Sequence, residues 1–123
     1  MAKLESASAD ACTIYHLPGR DWYYLLGPLN SAAKNLTFGL AEFPGGTLAA
    51  PHVHVAEEEI IYILSGAGAT MAGEQEIRLE PGVAVFIPPG LTHQIRADGP
   101  EPLRLVTLFS PPVTPGAYDP QKK

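Results

Sequence analysis

The chain has 123 residues, of which 13 are Pro and 12 are Gly, well above the roughly 12% that these two ordinarily contribute together. Proline removes a backbone donor and clashes inside helices, so long helices are excluded, while 46% hydrophobic and 17% charged residues exclude a disordered chain. The formal net charge is −5 and no Lys/Arg cluster interrupts it, so no nucleic-acid partner is expected.

Residues 1–9 are rich in Ala and Ser and are expected to be a flexible N-terminal segment. They contain no apolar h-region, and no apolar run approaches the roughly 18 residues of a membrane span. Neither a signal peptide nor a membrane partner is expected, and the expected location is cytoplasmic. Cys12 is single, so no internal disulfide supports the fold; it reads as a small buried apolar residue rather than a nucleophile. Short apolar runs follow at 13–17, 22–26, 36–43, 59–64, 67–71, 77–79, 83–87, 93–96 and 103–109, each ended by Gly, Pro, Ser or Asp. Their length and their Val, Ile, Leu, Tyr and Phe content are those of strands. Only residues 31–34 tolerate a helix. Eight or nine strands at this spacing predict one all-β domain over 10–110, a sandwich or barrel, followed by a proline-rich arm at 111–123.

Three of the four histidines sit in a pattern. His52 and His54 are two apart, so an extended segment projects both imidazoles from one face. Glu59 heads the apolar run at 59–64, and His93 follows the rigid turn Pro88-Pro89-Gly90. Three neutral imidazoles and one carboxylate suit a borderline divalent ion such as Mn, Fe, Co, Ni, Cu or Zn. A His-x-His pair by itself is also common on ordinary strands.

The wider spacing is more specific. Gly46, five residues, His52-x-His54, four residues, Glu59, six residues and Gly66 form one block. After fifteen residues come Gly82, five residues, Pro88-x-Gly90, two residues and His93. This pair of blocks resembles the two signature motifs of the cupin superfamily. The resemblance implies a double-stranded β-helix, or jelly-roll, barrel of the small single-domain type. It also implies that His52, His54, Glu59 and His93 are metal ligands and that Gly66, Gly82, Pro88 and Gly90 are turn positions. The second motif often ends in Asn, and here Ala97 stands there; that Asn is not a ligand in the family. Parity places Ile61 and Ile63 on the face of Glu59, and Ile95 on that of His93, so an apolar bowl is expected around the ligands.

Glu57 and Glu58 read as solvated loop charges, with Glu58 the fallback ligand if the loop is bulged. His16 reads as a surface residue. Trp22, Tyr23 and Tyr24 read as strand packing or a dimer contact before a substrate platform. Phe38, Phe43, Tyr62, Leu105 and Phe109 are candidates to line the bowl. Glu42, Arg96 and Arg104 are expected to face solvent. The resemblance implies a metal-dependent enzyme, a dioxygenase, isomerase or lyase, acting on a small oxygenated molecule with one divalent transition metal ion per chain. No catalytic residue beyond the ligands can be assigned, and no organic cofactor is expected. The alternatives are a non-catalytic ligand-binding or sensing module and a metal-free sugar epimerase or isomerase. The resemblance to small cupins also implies a homodimer, in which pairing covers exposed sheet edges.

Overall fold

Side chains alternate between interior and surface along the long apolar runs, so each run buries one face and bonds its neighbours through its edges. A computed structural model describes residues 2–115, which form ten strands. These are β1 (Thr13–Leu17), β2 (Arg20–Leu26), β3 (Thr37–Phe43), β4 (Thr47–Leu48) and β5 (Glu58–Ser65), then β6 (Gly68–Ala72), β7 (Gln75–Leu79), β8 (Ala84–Ile87), β9 (Gln94–Ala97) and β10 (Leu103–Ser110). No described residue is helical, so none of them forms a helix long and apolar enough to cross a membrane. Met1 and, of the proline-rich arm expected at 111–123, the part from residue 116 onward lie outside the described residues.

Six strands form one sheet in the order β1-β2-β3-β10-β5-β8, and four form a second in the order β4-β9-β6-β7. Every pairing is antiparallel. The two sheets enclose one core as an all-β jelly-roll barrel, as the motif spacing implies. Ile61 and Ile63 of β5 and Leu103, Leu105 and Phe109 of β10 meet Leu79 of β7 and Ile95 and Ala97 of β9. Burying each large side chain of this kind contributes about 1.5–3 kcal/mol before chain entropy is counted. The opposite face of the larger sheet leaves Ile60, Tyr62, Leu64 and Phe86 between 42% and 53% exposed.

Three expectations change. Residues 31–34 form a bend followed by irregular backbone rather than a helical turn. Side chains there satisfy the backbone locally: Asn30 Oδ1 accepts from Gly27 N at 3.0 Å, and Ser31 donates its hydroxyl to Gly27 O at 2.7 Å. Cys12 is half-buried rather than buried, because it closes a turn onto Ser8 just before β1, which lies at the edge of its sheet. The two-residue β4 is too short to show any alternation in sequence; its pairing to Arg96 and Ala97 of β9 creates it.

Two glycines are dictated by close approach. Gly66 has φ +87°, and a Cβ there would collide with Pro102 O. At Gly39 of β3 a Cβ would come within 2.6 Å of the Trp22 ring. The indole lies over this position, donates to Thr107 Oγ1 at 3.0 Å and meets Phe109 edge-on, with ring centroids 6.4 Å apart. Substituting Gly39→Ala should therefore destabilise the fold by about 1–3 kcal/mol through overpacking. The check is a denaturant titration followed by the fluorescence of the single Trp. A lower midpoint with an altered native spectrum is expected, and an unchanged pair would show that the indole is not seated on Gly39.

Candidate metal centre

The two histidine-bearing segments are joined through their backbones. His52 and His93 form an antiparallel bridge with two hydrogen bonds, each 2.9 Å. On either side, Ala49 N donates to Ile95 O at 2.9 Å and Gly90 N donates to His54 O at 2.8 Å. The turn Pro88-Pro89-Gly90 thus delivers an N–H to the carbonyl of one candidate ligand three residues before supplying the next. Glu59 lies in β5 between Ile87 of β8 and Phe109 of β10, with its side chain on the interior face.

All four side chains are buried, at 8% exposure for His52, 2% for His54, 5% for Glu59 and 3% for His93. One donor atom from each lies within 4.8 Å of the others. Glu59 Oε1 is 3.0 Å from His54 Nε2 and 3.6 Å from His93 Nε2. His93 Nδ1 lies 2.9 Å from Leu91 O. A carbonyl only accepts, so a neutral His93 carries its proton on Nδ1 and turns the Nε2 lone pair toward the Glu59 carboxylate. Two electron-rich groups converging in a buried space fit a cation between them. The three imidazoles pack ring on ring, with centroids 4.3 to 5.3 Å apart, and Phe109 closes on His54 at 4.9 Å.

Of the other candidates, Glu57 is half-buried and Glu58 is exposed, so the fallback ligand is not brought to the cluster. His16 is exposed and its Nδ1 sits 2.7 Å from Asp21 Oδ1. Glu42 pairs with Arg104 at 3.1 Å and Arg96 with Asp98 at 2.7 Å, on the outer faces. Phe38 is half-buried and Tyr62 is 44% exposed, and neither lines the interior. Phe43, Leu105 and Phe109 do, together with Trp22, Ala41, Ile95 and Thr107, around a cavity of about 20 Å³ that touches His52 and Glu59. Trp22 therefore packs the barrel and walls the site at once, while Tyr23 faces outward, half-buried. A second cavity, of about 170 Å³, reaches His93 through an apolar groove of Met71, Ile77, Val85, Ile87 and Leu91.

One cavity residue escaped the sequence reading. Arg20 is 8% exposed and lines the same cavity as His52 and Glu59. The apolar run read from the sequence starts at residue 22, whereas β2 begins at Arg20 itself. Parity with Trp22 and Tyr24 was the available signal, and all three point inward.

The electrostatics favour neutral imidazole at His52. Burial, then the neighbouring His93, His54 and Arg20, lower its pKa from 6.5 to about 3, against the opposing pull of Glu59. Burial pushes the Glu59 carboxyl up, but its interactions with the neighbouring His54 and His93 outweigh it and hold the pKa at about 2. His52 therefore stabilises the fold fully above pH 6.5 and loses that contribution as pH falls toward 3. Glu59 contributes fully above pH 4.5 and loses its share toward pH 2. Both act in the same direction. The metal-free protein should hold constant stability above pH 7 and lose on the order of 4 kcal/mol through His52 between pH 6.5 and 3. Urea titrations across that range check this, and a profile flat down to pH 4 would contradict a buried neutral His52.

Comparison with known proteins gives the same picture. The profile of the cupin domain matches residues 39–109, which include the bridge, the cluster and both motifs. An uncharacterised protein of Methanocaldococcus jannaschii is 33% identical over 81 residues, 64% of this chain and 65% of that protein. The dimethylsulfoniopropionate lyase DddW of Ruegeria pomeroyi is 32% identical over 90 residues, 72% of this chain. The chain spans less than two thirds of the length of either relative, 57% in the case of the lyase. The solved structure of KdgF from Halomonas sp. superposes with a TM-score of 0.72 at 25% identity, covering 87% of this chain and 94% of that one. From its sequence profile, its fold and the residues its barrel encloses, the chain belongs to the cupin domain family.

Proposed function

We propose that this chain is a metal-dependent enzyme that acts on a small oxygenated molecule, with one divalent transition metal ion held by His52, His54, Glu59 and His93. The carrying observation is the convergence of four buried donor atoms within 4.8 Å. When bound, such an ion supplies Lewis acidity toward an oxygen of the substrate or toward dioxygen. The chain's own residues set the conditions for that chemistry. Leu91 O fixes the His93 tautomer, so Nε2 is the donor presented. Phe109, Leu105 and Ile95 exclude bulk water from the cavity side, and the Met71–Leu91 groove gives a substrate an apolar approach to His93. Similarity to a lyase supports an enzymatic role, with lyase, dioxygenase and isomerase chemistry the classes to be separated.

A second reading, a non-catalytic ligand-holding module, is favoured by one observation. Among the described residues lining the interior cavity, none is a carboxylate or imidazole outside the four candidate ligands. Turnover decides between them. The enzyme reading expects oxygen uptake or product formation from at least one of a panel of catechols, β-diketones and oxo acids. Tight metal with no turnover on the panel would favour the module.

Metal analysis of the purified protein tests the centre itself. One ion per chain is expected, falling to a small fraction in His52→Ala and His93→Ala. No uptake under any loading condition would end the metal reading.

We further propose that the protein is a homodimer. The exposed Ile60, Tyr62, Leu64 and Phe86 lie side by side on β5 and β8, and a second copy would cover them. Sedimentation should give twice the chain mass, with Tyr62→Glu shifting the protein toward monomer. A wild-type monomer at all concentrations would refute the pairing.

A further inference from the structure

The groove that reaches His93 opens where the two sheets part. β8 ends the larger sheet, β7 ends the smaller one, and the groove runs between these edge strands. Thr70 and Ile77 wall it from the smaller sheet, and Val85, Ile87 and Leu91 wall it from β8 and the turn that follows. Register explains the first wall. Ile77 pairs with Thr70, and Thr70 pairs with the buried Ile95, so the three share the interior face. His93 precedes Ile95 by two residues and is the one candidate metal ligand among the described residues lining the groove. Its Nε2 lies 3.6 Å from Glu59 Oε1, so the groove ends beside the ligand cluster.

Size, charge and polarity then restrict the occupant. The groove encloses about 170 Å³, and an apolar cavity of roughly 150 Å³ admits one benzene ring. Among the described residues lining it, none is Asp, Glu, Lys or Arg. A charged substituent held against these walls would leave water without a partner, which is costly. The neutral polar side chains are Gln75, which is exposed, and Thr70, which is buried. Thr70 donates its hydroxyl to Gln94 O at 3.1 Å, the carbonyl next along the chain from His93. With that proton committed, Oγ1 offers a guest only lone pairs. An O–H donor complements it, and a carbonyl oxygen does not.

We propose that this groove is the substrate pocket and that it selects a molecule with one uncharged six-membered ring bearing a hydroxyl, a phenol or cyclic enol, with Thr70 as the residue that recognises the hydroxyl. This names the substrate class of the site proposed above and rests on that reading. A gap left only by the parting of the sheets would take apolar molecules without regard to a hydroxyl.

The test uses three probes that share one ring, phenol, toluene and benzoate, and follows the Ile, Leu and Val methyl resonances of the full chain, zinc-loaded and metal-free. Phenol should shift the methyls of Ile77, Val85, Ile87 and Leu91 saturably in both forms. Benzoate, applied to the metal-free chain so that its carboxylate finds no ion, should bind at least about 10-fold more weakly than phenol. Thr70→Val keeps the shape and removes the oxygen; it should weaken phenol about 5-fold and leave toluene unchanged. Ile77→Trp fills the groove and should abolish the phenol shifts while the zinc content holds. Ala72→Leu, which narrows the same groove, serves if that variant folds poorly. No saturable shift of these methyls, equal affinity for phenol and benzoate, or equal loss of phenol and toluene in Thr70→Val would overturn the assignment. Selective phenol binding by a chain that takes up no zinc or other ion would overturn the metal-centre reading instead, so the two failures are told apart.

Discussion

Two backbone hydrogen bonds of 2.9 Å tie His52 to His93, and with them two segments about forty residues apart in sequence. The smaller sheet grows from this contact: Ala49 bonds to Ile95, and Thr47 and Leu48 pair with Ala97 and Arg96. The larger sheet supplies Glu59 from β5, opposite Phe109 of β10. The bridge therefore does more than close the barrel. It sets two imidazoles side by side and fixes the distance at which the carboxylate of the other sheet can meet them.

That juxtaposition is costly without a cation. Four polar side chains are withdrawn from water in a core otherwise built from Ile, Leu, Phe and Ala. His52 responds by remaining neutral far below its ordinary range, and Glu59 by leaning on the imidazoles beside it. His93 is turned by Leu91 O so that its lone pair meets a carboxylate. A cluster chosen only for stability would be better replaced by apolar side chains of the same volume. The arrangement is explained when its free energy is recovered on binding an ion, because deprotonated, converging donors are what a metal requires. The aromatic shell follows from the same requirement. Gly39 makes room for Trp22, Trp22 is fixed by Thr107 and Phe109, and Phe109 abuts His54.

Much of this was legible in the residues. The two-residue period exposed the long strands and placed Ile61, Ile63 and Ile95 inside, and motif spacing singled out Glu59 from its acidic neighbours Glu57 and Glu58. What stayed hidden depends on tertiary contact. β4 exists through β9 and has no pattern of its own. Whether Phe38 or Phe43 lines the site depends on the register of β3, which its sequence does not state. Arg20 stayed hidden because the apolar run begins at Trp22 and a charged residue at its head carries no apolar signal, while pairing of β2 extends the strand back to it.

The central claim is that one ion binds to three imidazoles and one carboxylate of this chain. X-ray absorption at the metal edge of the loaded protein reads this most directly, since each imidazole adds its own multiple-scattering signature beyond the first N/O shell. The account predicts three imidazole rings and additional oxygen donors, with ligand distances of about 2.0–2.2 Å for zinc. A spectrum with one imidazole or none, or with sulfur in the first shell, would contradict it.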